Sequence, residues 1–178
     1  MRRLLWQALR RPVTLPRPAA SESALAELAE SVDLAAKRRL GRSLSIRQVD
    51  AGSCNGCELE IHALNNAVYD LERYGIRFVA SPRHADVLLV TGPVTTAMRE
   101  ALERTWTATP EPKWVVAVGD CAAAGGGLFA DSYAVAGGVA DVVPVDLHIG
   151  GCPPSPTQLL RGLLALMEAS PDNVRTRE

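Results

Sequence analysis

Four cysteines carry the strongest hint of chemistry in this 178-residue chain: Cys54, Cys57, Cys121 and Cys152. Cys54-Asn55-Gly56-Cys57 falls between a predicted strand, Leu44 to Val49, and a predicted helix, Leu59 to Tyr74. At such a junction, free backbone N–H groups and the positive end of the helix dipole lower thiol pKa and stabilise an anion. Taken alone, the pair reads as a redox dithiol, as half of a metal site or as a chance pair. Cys121 follows the predicted strand Trp114–Val118, and Cys152 follows the predicted strand Val142–Ile149. All four cysteines therefore lie just past strand ends, and open parallel α/β sheets bind ligands at the carboxyl ends of their strands. The expectation is one four-thiolate site, set against four unrelated cysteines buried as small hydrophobes.

Spacing and composition narrow the metal. Structural zinc usually draws on two close pairs of ligands, whereas here Cys121 and Cys152 each stand alone. Glycine surrounds the ligands at Gly52, Gly56, Gly119, Gly125 to Gly127, Gly150 and Gly151. Backbone without side chains can approach a bulky inorganic core and aim N–H groups at its sulfides. That favours one [4Fe–4S] cluster over a single zinc ion, with Pro153-Pro154 forming a stiff turn that helps exclude water.

These loops need a scaffold of alternating strands and helices. Val87–Val90 and Trp114–Val118 are continuous apolar runs, as in strands buried on both faces of a parallel sheet. Ile76–Ala80 reads as a further strand. Ile61, Leu64, Val68 and Leu71 follow helical spacing, Thr95 or Thr96 caps a helix to about Trp106, and Pro156 opens a last helix to Glu168. Residues 125–138 read as one long loop with a short turn or two. The fold class is α/β, a flavodoxin-like parallel sheet with helices on both faces, plus an N-terminal helical extension.

Three segments are expected. Residues 1–43 form a basic extension, with an amphipathic stretch at 1–11, a proline-broken linker at 12–20 and a helix from Ser21 or Ser23 to Leu40. Residues 44–169 form the cluster-binding domain, and 170–178 a polar tail. Residues 1–50 hold ten Lys/Arg against five Asp/Glu, and 51–178 hold nine against fifteen, so a basic leader sits on an acidic body. The leader is expected to meet another subunit or an anionic membrane surface. No run approaches the roughly eighteen apolar residues of a membrane span, and four cysteines in a chain read as cytoplasmic point to metal binding or catalysis rather than disulfides. With 4% aromatic residues and a net charge of −1, a nucleic-acid partner is not expected.

Five motifs together resemble one family. They are Cys-Asn-Gly-Cys-Glu-Leu-Glu (54–60), Ser-Pro-Arg-His-Ala-Asp-Val-Leu-Leu-Val-Thr-Gly (81–92), Val-Thr-Thr-Ala-Met (94–98), Gly-Asp-Cys-Ala (119–122) and Gly-Cys-Pro-Pro-Ser-Pro (151–156). The set is similar to the small subunit of membrane-bound, energy-converting [NiFe] hydrogenases of the formate hydrogenlyase type. The likeness extends to the 20 kDa subunit of respiratory complex I. It implies a flavodoxin-like fold and one [4Fe–4S] cluster on Cys54, Cys57, Cys121 and Cys152. It also implies three kinds of partner: a large subunit holding nickel–iron, a ferredoxin-like iron–sulfur subunit and the membrane subunits of the complex. The chain would then lie at the cytoplasmic face of the inner membrane as an electron-transfer component of an oxidoreductase. Complex I subunits carry adjacent cysteines at the first site, whereas Asn55-Gly56 separates them here, which favours the hydrogenase branch. The alternatives are a complex I-like subunit passing electrons to quinone and a non-redox module with structural zinc.

Other residues carry weaker expectations. Asp120 stands where the family has a small residue and should lower the potential of the cluster. Glu58 and Glu60 read as a proton path or docking contact, or, preferred, as first-turn acids favoured by the helix dipole. Arg83 and His84 could act near the cluster or be solvated loop residues. His62 is expected exposed or packed, and His148 a satisfied sheet residue. Gly125 to Gly127 lack the pattern of a phosphate loop.

Overall fold

The computed structural model describes residues 22–125 and 127–169. The expected amphipathic stretch 1–11, linker 12–20 and tail 170–178 lie outside them. In chain order the main elements are α1 (Glu22–Leu40), β1 (Ser45–Asp50), α2 (Gly56–Ala63), β2 (Arg77–Phe78), β3 (Val87–Thr91), β4 (Val94–Thr95), α3 (Thr96–Ala108), β5 (Trp114–Val118), α4 (Asp120–Ala124), β6 (Val135–Gly137), β7 (Leu147–Ile149) and α5 (Pro156–Glu168). Strands β2, β1, β3, β5 and β7 lie side by side in that order, and every pairing is parallel. This is the flavodoxin-like strand order, as expected.

The side-chain period of a strand explains the two layers. In β3, Val87 and Leu89 enter one core and Leu88 and Val90 the other; in β5, Val116 and Val118 oppose Val115 and Ala117. The first core is covered by Val32 and Ala36 of α1, Ile61 of α2 and Leu159, Leu160 and Leu163 of α5. The second is covered by Leu102 of α3 and Ala122 of α4. Helix α1 is tied in further by Arg39, whose guanidinium lies over the Trp114 ring, 4.6 Å from its centroid, and donates to Leu166 O at 2.5 Å. Leu163 is fully buried where α5 meets the sheet. Leu163→Ala is expected to cost about 2–5 kcal/mol, read as a fall in the denaturant midpoint with an unchanged slope.

Three elements differ from the sequence expectation. The helix predicted to Tyr74 stops at Ala63. Asn66 Oδ1 accepts from the N–H groups of Val68 (2.8 Å) and Tyr69 (3.1 Å), an Asx turn that competes with the helix. Leu64 and Leu71 stay buried because the chain loops back, with Leu71 N–H donating to Leu64 O at 3.1 Å, and Val68 is left exposed. The strand predicted from Val142 is confined to Leu147–Ile149, since Pro144 has no N–H for the ladder and Asp146 turns in to accept from Val115 N–H at 2.7 Å. The long loop holds β6, which pairs antiparallel with β4.

Candidate metal centre

Each cysteine loop is shaped by local hydrogen bonds. After β1, Asp50 Oδ1 accepts from Gly52 N–H (2.9 Å) and Ser53 N–H (2.8 Å), turning the chain toward Cys54. Ser53 Oγ accepts from Asn55 N–H at 3.0 Å and donates to Glu58 Oε2 at 2.5 Å. Asn55, at φ 71°, then feeds α2, which carries Cys57. After β5, Gly119 places Cys121 at the start of α4. After β7, Cys152 precedes α5, which is fixed by a capping box between Ser155 and Gln158.

The second and third loops are joined directly. Gly119 N–H donates to Ile149 O (2.8 Å) and Asp120 N–H to Gly151 O (2.9 Å). Gly151 N–H returns a bond to Asp120 Oδ1 at 2.8 Å. His148 Nε2 donates to Gly119 O at 3.0 Å, so this histidine is satisfied in the sheet, as expected. Asp120→Ala removes one tie between the loops of Cys121 and Cys152. A metal held by those two cysteines should leave for a chelator ~5-fold faster, the worth of one hydrogen bond. Asp120→Asn keeps the Oδ1 acceptor and should release it no faster than the original chain.

All four thiols line one cavity of about 370 Å³, whose wall is otherwise largely apolar, with Pro93, Phe129, Val135 and Pro153. Cys54 and Cys152 are exposed, Cys57 and Cys121 half-buried. Burial pushes the Cys57 thiol up to about 12, and the Glu58 carboxylate and the other three cysteines add to the rise. Cys121 is also raised, by burial first and then by Cys152, Cys54 and Asp120. The sequence reading expected helix-lowered thiols; for Cys57, desolvation and negative neighbours outweigh the dipole of a short helix. Ionising Cys57 and Cys121 in this setting calls for positive charge beside them. Among the described residues, no three His, Cys, Asp or Glu side chains close on a point where one ion would be held. All four thiols line one space, and an all-thiol donor set on such a space fits an iron–sulfur cube.

Glycine makes room for such a core. Gly119 adopts φ 88°, and a Cβ there would stand 2.7 Å from Cys57 Sγ.

The remaining candidates separate. Glu58 stands in the first turn of α2, as expected, but it is buried, and its Oε1 has no hydrogen-bond partner among the described residues. Glu60 is half-buried and His62 is exposed. Arg83 and His84 are exposed in a turn that precedes β3, at the opposite end of the sheet from the thiols. Sequence reasoning missed Ser53 and the cavity wall supplied by Phe129, Ser132, Ala134 and Val135. An aromatic pair in a glycine-rich loop, Phe129 and Tyr133, was the available signal; both are exposed.

The family described as "NADH ubiquinone oxidoreductase, 20 Kd subunit" matches residues 54–166, from the first cysteine into α5. The chain belongs to this family. Formate hydrogenlyase subunit 7 of Escherichia coli (strain K12) is 43% identical over 157 residues, covering 86% of this family member and 60% of that protein's own length. The probable membrane-bound hydrogenase subunit mbhJ of Pyrococcus furiosus is 44% identical over 129 residues, covering 72% of this chain and 77% of the relative. Among solved structures, a chain of the membrane-bound sulfane sulfur reductase, an archaeal respiratory membrane complex, superposes with a TM-score of 0.63. It is 37% identical, and the match covers 76% of this chain and 73% of that one. No helix among the described residues is long and apolar enough to cross a membrane.

Proposed function

We propose that this chain is the iron–sulfur electron-transfer subunit of a membrane-associated hydrogenase complex of the formate hydrogenlyase type. Cys54, Cys57, Cys121 and Cys152 would hold one [4Fe–4S] cluster, with residues 44–169 as its binding domain. The observation that carries this reading is the meeting of four thiols from three separate loops around one apolar cavity. When bound, the cluster supplies one-electron redox chemistry. The four thiols would give up their protons to bind it, Gly119 leaves Cys57 Sγ room, and the largely apolar wall would lower the polarity around it. The exposed side, at Cys54 and Cys152, is where a large subunit holding nickel–iron would cover the site. A ferredoxin-like subunit would deliver electrons, and membrane subunits would anchor the assembly at the cytoplasmic face, with this chain peripheral.

Asn55-Gly56 between the first two cysteines favours the hydrogenase branch over a complex I-like subunit. The likeness to a sulfane sulfur reductase chain supports a second reading, in which the same relay serves an acceptor other than protons. The test is to equilibrate the intact complex, purified anaerobically from membranes, with hydrogen gas. Reduction of the iron–sulfur signal by hydrogen is expected. A signal that hydrogen leaves unchanged, but a quinol or a polysulfide shifts, would replace the hydrogenase reading.

A further inference from the structure

The edge of the sheet next to β1 is left half-finished. Strand β2 has two residues and pairs only with Ser45 and Ile46. Its last bond runs from Val79 N–H to Ile46 O at 2.8 Å, after which the chain turns away. Strand β1 continues to Asp50. In a parallel ladder, alternate residues aim their N–H and C=O groups to opposite sides. Leu44 and Ile46 serve β2, while Ser45 and Ala51 serve the β3 side, bonding Asp86 N–H and Thr91 O. Gln48 therefore turns its backbone groups to the β2 side, beyond the point where β2 ends, and no described residue bonds to them.

A cavity of about 300 Å³ runs along this gap, lined by Arg47, Gln48, His62, Asn65 and Phe78, among others. Arg47 Nε is buried without a hydrogen-bond partner among the described residues. Across Val79 lies a second cavity of about 580 Å³ with Arg42, Arg77, Arg83 and His84 in its wall. No carboxylate lines either cavity. Arg42 is paired with Asp86 beneath it, whereas Arg47, Arg77 and Arg83 have no ion-pair partner among the described residues. A strand edge with open donors and acceptors beside unpaired guanidiniums is a template for an extended, acidic segment.

We propose that the open edge of β1 is a docking groove that takes an extended, acidic segment of another protein chain as an added strand. Backbone groups of that segment bond Gln48, and its carboxylates reach Arg47, Arg77 and Arg83. The chain's own ends are poor occupants. Residues 1–20 hold five arginines and no acid, so the groove repels them, and 170–178 carry no net charge. The proposal does not rest on the cluster, which lies on other loops.

The full-length chain, isolated with its iron, is titrated with a short synthetic peptide alternating Glu and Val, and with a Lys/Val peptide as control. Exchange of the Gln48 amide hydrogen should slow on adding the acidic peptide alone. Replacing Arg77→Glu together with Arg83→Glu should weaken binding about tenfold or more, with circular dichroism and the iron–sulfur spectrum unchanged. Arg47→Met, which keeps the stem, gives a second, milder variant with the same direction. Unchanged Gln48 exchange at saturating peptide overturns the proposal. So does binding indifferent to the arginine replacements. So does binding to phosphatidylglycerol vesicles in preference to the acidic peptide, which would assign the groove to a lipid surface.

Discussion

Cys121→Ser or Cys152→Ser is expected to remove the four-iron signal from the isolated chain, leaving a three-iron form or no cluster. Each of these cysteines is the sole thiol on its loop, Cys121 after β5 and Cys152 after β7. A serine hydroxyl is a far poorer ligand for iron than a thiolate, because it is not deprotonated near neutral pH. No neighbouring sulfur can replace it, since the described chain holds four cysteines and all four line the cavity. Iron content and electron paramagnetic resonance read the loss, and circular dichroism should show an intact fold. The sheet core, centred on Val87, Leu89 and Val116, does not include the thiols of Cys121 and Cys152. A variant that retained the full four-iron spectrum would remove that cysteine from the site.

Gly119→Ala should be nearly as damaging without touching a ligand. Gly119 sits at φ 88°, ψ 158°, a region that glycine alone occupies readily, and holding alanine there costs about 1–3 kcal/mol. The new methyl group also meets Cys57 Sγ, so that thiol must move. Gly41→Ala is the matched control. It too has positive φ, 69°, yet nothing lies within 4 Å of its Cβ position. Both variants should lose thermal stability, and Gly119→Ala alone should lose iron. Equal iron content in the two would mean that the approach of Gly119 to Cys57 does not shape the site.

The parts of the fold legible in the sequence are those where one physical signal dominates. Trp114–Val118 is a continuous apolar run, and the observed strand has those bounds, because burial on both faces demands apolar residues without alternation. Pro156, with Ser155 and Gln158 around it, likewise marks the start of the last helix. The failures came where local polar chemistry overrides periodicity. Leu64, Val68 and Leu71 keep helical spacing, but the Asn66 side chain closes a turn between them. Strands of two or three residues, such as β4 and β6, are too short to leave a pattern and are held by each other.

The same division runs through the site. The four cysteines could be grouped from sequence because strand ends in a parallel sheet share one edge. Burial of Glu58 could not, because it depends on Ser53 Oγ arriving from the turn before α2. Nor could the raised Cys57 thiol, which reflects desolvation that only the packed structure provides. For Arg83 and His84 the sequence left two readings open, near the site or solvated on a loop, and the structure supports the second. They precede β3, whereas the thiols follow strands, and in a parallel sheet those positions are at opposite ends.

The most direct measurement is metal and sulfide analysis, with Mössbauer spectroscopy, of the full chain isolated without air from cells grown on iron-57. Iron and acid-labile sulfide in equal amounts, with the spectrum of a four-iron cube, are predicted. A colourless protein holding stoichiometric zinc and no sulfide would contradict the redox role at its root.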